Sequence, residues 1–483
     1  MSQLVDDAVA AYRQRLEDAL VAMGAARDAE AFCAAERGVV ELAQQLASDM
    51  TQRVLQQVSD DRLRRKEALE RVRGRAAAKG IDVRVERVRR TEVRTLGGKL
   101  VTVLTPYATA APRGDRPLAR RGSQGTGVYP VLDQLGICGR STPGARLRVS
   151  RAVCEANSVS SARDLLAGGG IAIDHKAALR LTYMVCDDAL RARTEAMRAT
   201  QTGNEQGVLV GRRVVVAVDG GRVNIRKRVA GRPRKGGRKR FETDWREPKV
   251  LTVYVVGEDG KRDRTIASVI DATLGDADAV FRLARYHLLR LGAHKAAELT
   301  LIGDGAPWIW NRAEWLREAL GLAPEQFNQI FDYFHVVERL GELSKTQSRW
   351  GEEGRLAWLQ FQKARLKAGK IEEIEAVVQT IAERLPEDMR KEWDYWSSNC
   401  EKMRYGAFRE RRLPIGSGAV ESSVRRVINL RMKGASITWT EEHAEGILHL
   451  RAHAKSGRWS ELEHAVLQIT GWRPTARRAR RAP

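Results

Sequence analysis

The chain has 483 residues, 43% of them hydrophobic, which is enough for two or three domains with real cores. Lys and Arg number 84 against 61 Asp and Glu, a formal net charge of +23, so a polyanion, nucleic acid first, is the expected partner. No apolar run reaches the roughly 18 residues of a membrane span, and Asp6 and Asp7 stand where a secretory signal would be basic. A membrane partner is therefore not expected, and a cytoplasmic, nucleoid-associated location is.

Val5, Val9, Tyr12, Leu16 and Leu20 recur at helical spacing, as do Val39, Leu42, Leu46, Met50, Val54 and Val58, so residues 1–80 are expected to be a helical N-terminal region. Arg62, Arg64, Arg65, Lys66, Arg71, Arg73 and Arg75 continue it as a DNA-facing or a solvated surface. From Val83 the period is two. Val93 and Thr95 precede Leu96-Gly97-Gly98-Lys99, and Val101 and Val103 follow, predicting a β-hairpin in a small β domain and linker over 81–140. The linker runs from Pro106 to about Gly127. A helical DNA-binding domain is expected over 141–205, with a helix at Ser160–Ala167, a turn at Gly168-Gly169-Gly170, and Asp174 capping a helix that carries Lys176 and Arg180. This arrangement is helix-turn-helix-like, although three glycines loosen the turn. The five cysteines, Cys33, Cys138, Cys154, Cys186 and Cys400, lie far apart without a Cys-x-x-Cys pair, and read as buried thiols.

After Gly211 the pattern becomes α/β. Val214–Val218, Val250–Val256, Thr265–Ile270 and Leu299–Ile302 read as strands, with a helix at Ala277–Leu291 and a fifth strand at Gln329–Phe334. Three consecutive strands, a helix and a further strand open an RNase H-like domain, expected over 211–335 and 412–455. Residues 336–411 read as an all-helical insertion, and 456–483 as a C-terminal segment ending in a basic tail with Arg477, Arg478, Arg480 and Arg481.

Three acids stand where chemistry is expected. Asp219 ends an apolar strand before Gly220-Gly221, and Asp304 ends another before Gly305, with Trp308 and Trp310 behind it. Strand-end carboxylates converging in one sheet suit a magnesium-dependent phosphoryl-transfer site. Glu421 lies beyond the turn Pro414-Ile415-Gly416-Ser417-Gly418, in the first turn of a helix whose free N–H groups suit phosphate. Arg425 follows one turn on, beside Arg426. Asp271 also ends an apolar run and competes with Asp304 as second ligand. Between the first two strands stand Arg222, Arg226, Lys227, Arg228, Arg232, Arg234, Lys235, Arg238, Lys239 and Arg240 with no acid among them, a density suited to phosphate oxygens. Gly231-Arg232-Pro233 within it also has the form of an AT-hook core. Trp308 and Trp310 stack an unpaired base or close the core beneath Asp304.

The stretches VAVDGGRVNIR (216–226), FETDWREPKVLTVYVV (241–256), LIGDGAPWIW (301–310), FDYFHVVERL (331–340) and RLPIGSGAVESSVRRVINLRMKG (412–434) resemble, in this order, DDE transposases of bacterial insertion sequences. The similarity is to the ISKra group and, more distantly, to Mutator-like transposases, and covers about half of the chain. The resemblance implies an acidic triad of Asp219, Asp304 and Glu421 holding two Mg²⁺ (or Mn²⁺) ions. It also implies DNA cleavage and strand transfer on terminal repeats and target DNA, by a homo-oligomer on double-stranded DNA. Asp332 and His335 resemble the Asp/Cys-x-x-His signature of the Mutator-like enzymes and join the catalytic candidates. Relatives carry a cysteine pair before the segment matching Val128–Asp133; this chain has only Cys138 there, which speaks against a zinc ribbon. Two alternatives stay open: an RNase H-like nuclease that only hydrolyses DNA, and a non-catalytic DNA-binding regulator or domesticated transposase.

Overall fold

The computed structural model describes residues 2–112, 127–231, 240–347, 349–382, 385–434, 437–469 and 471. The chain forms two compact units, Met1–Ala189 with Ser460–Pro483, and Leu190–Trp459. It is mixed α/β, and no helix of the described residues is long and apolar enough to cross a membrane.

The first unit begins with the helices Ser2–Ala25, Ala29–Asp60 and Arg62–Ala77. The second and third are capped by Asp28 and Asp61, whose carboxylates accept from otherwise unpaired first-turn N–H groups. The third buries Ala68, Val72 and Ala76, while Arg62, Arg64, Lys66, Arg71 and Arg73 are exposed and Arg75 pairs with Asp133. The hairpin is present as β1 (Ile81–Arg94) antiparallel to β2 (Leu100–Pro112), with Gly98 at φ +95° in the turn, and β3 (Gly127–Val128) joins β2. The expected linker thus starts late: Pro106 to Pro112 remains in the ladder, where Tyr107 packs on Tyr129 and under the Arg89 guanidinium. The rest of that linker, 113–126, lies outside the described residues.

Three helices follow, Pro143–Glu155, Val159–Gly168 and His175–Ala199, capped by Thr142, Ser158 and Asp174. Val149, Val153, Ala162, Leu166, Ile171 and Leu181 meet in one core, and Lys176 and Arg180 are exposed on the third helix. All five cysteines are free, but only Cys154 and Cys186 are buried as expected; Cys33, Cys138 and Cys400 are half-buried.

The second unit is built on a five-stranded sheet. Its elements are β4 (Arg213–Gly220), the ribbon β5 (Val223–Arg228) with β6 (Phe241–Arg246), then β7 (Lys249–Val256), β8 (Val269–Thr273), β9 (Glu298–Gly303) and β10 (Phe327–Phe331). The sheet order is β10-β9-β4-β7-β8, with β4, β9 and β10 parallel and β7 antiparallel to both of its neighbours. Val214–Val218 and all of β7 are buried, which explains their unbroken apolar runs: strands covered on both faces show no alternation. Two boundaries differ from expectation. The third strand begins at Val269 rather than Thr265, because Asp263 folds Thr265 into a turn through its N–H (2.8 Å) and hydroxyl (2.6 Å). The fifth ends at Phe331 rather than Phe334, because Asp332 caps the helix Tyr333–Lys345.

The helix Ala277–Arg290 buries Val280, Phe281, Ala284 and Leu288 between β8 and β9 in sequence. From Tyr333 to Glu410 the described residues form only helices and turns, with Trp393 and Trp396 buried. The helix Gly418–Val424 then runs directly into a π-helical segment, Arg425–Asn429, that no local pattern in the sequence announces. Arg451, 1% exposed, donates to the carbonyls of Arg426 and Val427 and so satisfies acceptors in that wider turn.

Candidate functional site

The three parallel strands β4, β9 and β10 each end in an aspartate. Ala217 pairs with Ile302 and Gly303 with Phe331, so Asp219, Asp304 and Asp332 stand level on three adjacent strands, successive positions about 4.8 Å apart. Each carboxylate is fixed locally. Asp219 Oδ1 accepts from Gly220 N–H (2.7 Å) and Asp304 Oδ1 from Ala306 N–H (3.1 Å). Packing requires the glycine after Asp304, since a Cβ on Gly305 would meet the indole nitrogen of buried Trp396, whereas one on Gly220 would meet only the carboxylate of exposed Glu247, which can move aside.

Burial raises Asp219 from the ordinary 3.8 to about 6, and the nearby charges of Asp304 and Glu421 push the same way against Gly220 N–H and His335. Asp304 is also raised, by burial first and by Glu247, against Ala306 N–H, His335 and Arg339. Among the described residues neither carboxylate has a Lys or Arg ion pair. Two half-buried, mutually repelling hard-oxygen donors without a protein cation are suited to a divalent ion such as Mg²⁺ or Mn²⁺.

Glu421, expected as the third acid, stands on the helix Gly418–Val424, and among the described residues it groups with Asp332 and His335 rather than with Asp219 and Asp304. Glu421 is exposed and accepts from the Ser417 hydroxyl (3.0 Å). One ligand atom each from Asp332, His335 and Glu421 lies within 4.8 Å of the others. Asp332 itself is fully buried, with Oδ1 accepting from Phe334 N–H (2.6 Å) and His335 N–H (3.4 Å), and Oδ2 from Ser417 N–H (2.6 Å). It is a positioning residue, tying the helix that carries His335 to the turn that presents Glu421. The helix-start N–H groups expected to be open to phosphate are partly taken: Ser417 N–H by Asp332, and Val420 and Glu421 N–H by Ser417 O.

Asp271 lies elsewhere in the chemistry. It is fully buried on β8 between His287 Nε2 (2.9 Å), His449 Nδ1 (3.1 Å) and Arg193 (3.5 Å), and these charges and hydrogen bonds, against its desolvation, hold it well below the carboxylate range. The apolar run before it left it a competitor of Asp304, because its partners come from distant helices. Trp310 is likewise a core residue, not a stacking platform. It is 8% exposed, lies against Phe331, and donates its indole N–H to Asp304 O (2.8 Å). Trp308 is half-buried, with the Lys249 ammonium 4.5 Å from its ring centre.

Two cavities flank the acids. One, about 710 Å³, is lined by Gly220, Gly221, Arg222, Arg246, Lys433 and the exposed Trp245. The other, about 500 Å³, joins Asp304 and His335 to Arg339, Lys391, Tyr395 and Trp396. The basic segment between the first two strands is not merely a loop. Arg226, Lys227 and Arg228 lie on β5, exposed, and the ribbon root is held by Arg226 N–H to Trp439 O (2.8 Å) and Trp439 N–H to Asn224 O (3.0 Å). Arg240 is exposed beside β6, while Arg232, Arg234, Lys235, Arg238 and Lys239, with the Gly231-Arg232-Pro233 motif beyond its glycine, and the basic tail lie outside the described residues. Arg425 is exposed, but Arg426 is half-buried and spends its guanidinium on Ser422 O (3.2 Å) and Lys455 O (3.1 Å). Sequence reading singled out neither Glu247, Trp245 and Lys433 nor Arg339, Lys391 and Trp396. Glu247 had a cue in its place just before the second central strand.

Comparison of the chain with protein-family models, curated proteins and solved structures finds no match.

Proposed function

We propose that residues 211–335 and 412–455 form an RNase H-like nucleic-acid-cleaving domain interrupted by an all-helical insertion, and that the protein is a DDE-type transposase that cuts and rejoins the ends of an insertion sequence. The observation that carries this is the level pair Asp219 and Asp304 on adjacent parallel strands, both raised and neither paired with a protein cation. The sheet order supports it: three antiparallel strands, β4, β7 and β8, followed by β9 and β10 added parallel on the other side of β4. So does Glu421, delivered from a later helix beside His335 and Asp332.

In this reading Asp219, Asp304 and Glu421 would hold two Mg²⁺ or Mn²⁺ ions, which when bound polarise a phosphodiester and activate a water or 3′-hydroxyl. The protein's own share is placement. β4 and β9 fix two carboxylates, Asp332 sets the distance between His335 and Glu421, and β5 with Arg222, Arg246 and Lys433 attracts the DNA backbone without reading sequence. Double-stranded terminal repeats and target DNA are the partners, and holding two ends together calls for an assembly of copies on DNA.

The test is metal-dependent nicking and joining of the element's end DNA by wild type, Asp219→Asn, Asp304→Asn, Glu421→Gln and Asp271→Asn, with binding measured in parallel. Loss of chemistry with retained binding in the first three is expected. DNA binding without any cut by wild type under Mg²⁺ or Mn²⁺ would sink the catalytic reading in favour of a regulator. Cutting without joining would make the protein a nuclease.

A further inference from the structure

Behind the helix that presents Glu421, β7, β8 and the segment before β8 line a third cavity of about 340 Å³, about eleven waters at ~30 Å³ each. Four of its lining residues are cations, Arg262, Arg264, Arg426 and Lys455, and none is a carboxylate. Asp263, between Arg262 and Arg264, is turned onto Thr265.

Arg426 is fixed by the carbonyls of Ser422 and Lys455, while Arg262, whose backbone bridges Val256, and Arg264 are exposed at the mouth. Burial, and after it the charge of Arg262, lower the pKa of Arg426. Ser268, 6% exposed, sits in the wall, and its buried hydroxyl has no hydrogen-bond partner. A buried hydroxyl and a group of guanidinium ions share one complement, an oxyanion.

We propose that this cavity is a phosphate-binding subsite that takes a backbone phosphodiester of bound DNA; the DNA rests on the function proposed above, whereas the phosphate chemistry does not. Its inner wall, Thr252, opposes Ala217 on β4 and bonds the hydroxyl of Ser423, two residues from Glu421. Thr252 is therefore one strand over and two residues back from Asp219, roughly 8 Å between Cα atoms, on the scale of the separation of neighbouring phosphates along one DNA strand. Arg262 and Arg264 grip the backbone there and set which phosphate faces the acids.

The experiment uses the full-length chain and the variants Arg262→Gln, Arg264→Gln, their double, Arg264→Lys, and Lys261→Gln as a control of equal charge outside the cavity wall. Affinity for end DNA is measured across a salt series, and inorganic phosphate is titrated and followed by ³¹P NMR. Expected are a salt slope smaller by about 1 for each Gln variant and about 2 for the double, loss of phosphate binding in the double, retention in Arg264→Lys, and little change in Lys261→Gln. Phosphate binding lost with an unchanged DNA slope would overturn the assignment to backbone DNA and leave a free phosphate as ligand. No phosphate binding by wild type, with slopes equal to the control's, would overturn the site altogether. Absence of cutting by wild type bears on the function above and leaves the phosphate titration intact.

Discussion

Asp219→Asn should make the protein more stable while removing its chemistry. The wild-type carboxylate is raised from 3.8 to about 6, so the folded state holds a proton that the unfolded chain has released throughout that interval. Stability contributed by this group is full below pH 3.8, declines as pH rises through about 6, and is absent at neutral pH, where the buried charge costs about 3 kcal/mol. Asparagine keeps an oxygen for Gly220 N–H and carries no charge. With a chelator present, the variant should gain about 1–3 kcal/mol at pH 7.5, the lower end reflecting relaxation and water entry, and nearly nothing at pH 4. In a unit of this size that is a rise of roughly 3–10 °C in the melting transition of residues 190–459. Differential scanning calorimetry of wild type and variant across pH, with and without excess Mn²⁺, measures it, and the cation should restore wild type toward the variant by mass action. A difference between the two proteins that is flat from pH 4 to 8, or that favours wild type at neutral pH without metal, would refute the argument that an uncompensated charge is stored at this strand end.

Asp271→Asn should behave in the opposite sense. It uncouples Arg193, His287 and His449 from a fully buried carboxylate, and chemical unfolding should show a loss of about 3–5 kcal/mol. His287 is lowered to about 4 by burial, so it is neutral in the fold, and the stability it supports declines as pH falls from 6.5 toward 4; urea midpoints of His287→Gln should lose that pH dependence. Gly305→Ala places a methyl group against the buried Trp396 and should cost about 1–3 kcal/mol by thermal melting, with nicking reduced as Asp304 is displaced. Neutralising Arg226, Lys227 and Arg228 together should reduce the salt slope of DNA binding by up to about 3 without altering the melting curve, because all three are exposed on β5.

What can be read in the sequence is whatever local chemistry decides. The apolar runs of β4, β7 and β9, the hairpin glycine, and the caps Asp174 and Asp28 each depend on a few neighbouring residues, and all of these except Asp28 are legible there. The convergence of Asp219 with Asp304 follows from their strand ends once the strands are parallel neighbours, so two of the acids are nameable from the chain alone. What stayed open has one cause. Asp271 and Asp304 look alike from the chain, each a carboxylate after an apolar run, and what separates them is which partners the fold brings. Asp271 receives the Arg193 guanidinium and the ring nitrogens of His287 and His449 from three helices, whereas Asp304 has no Lys or Arg ion pair among the described residues. Trp310, left open between stacking and core, closes the core through Asp304 O, and Arg426 braces a helix through the distant carbonyl of Lys455.

The contrast between the two aspartates also says which should bind a metal. A cation added to Asp271 would have to displace protein charges already in place, while one added beside Asp219 and Asp304 relieves a repulsion the fold leaves standing. A site that costs stability when empty and returns it when filled differs physically from an internal ion pair, and the pH dependence of Asp219→Asn distinguishes the two.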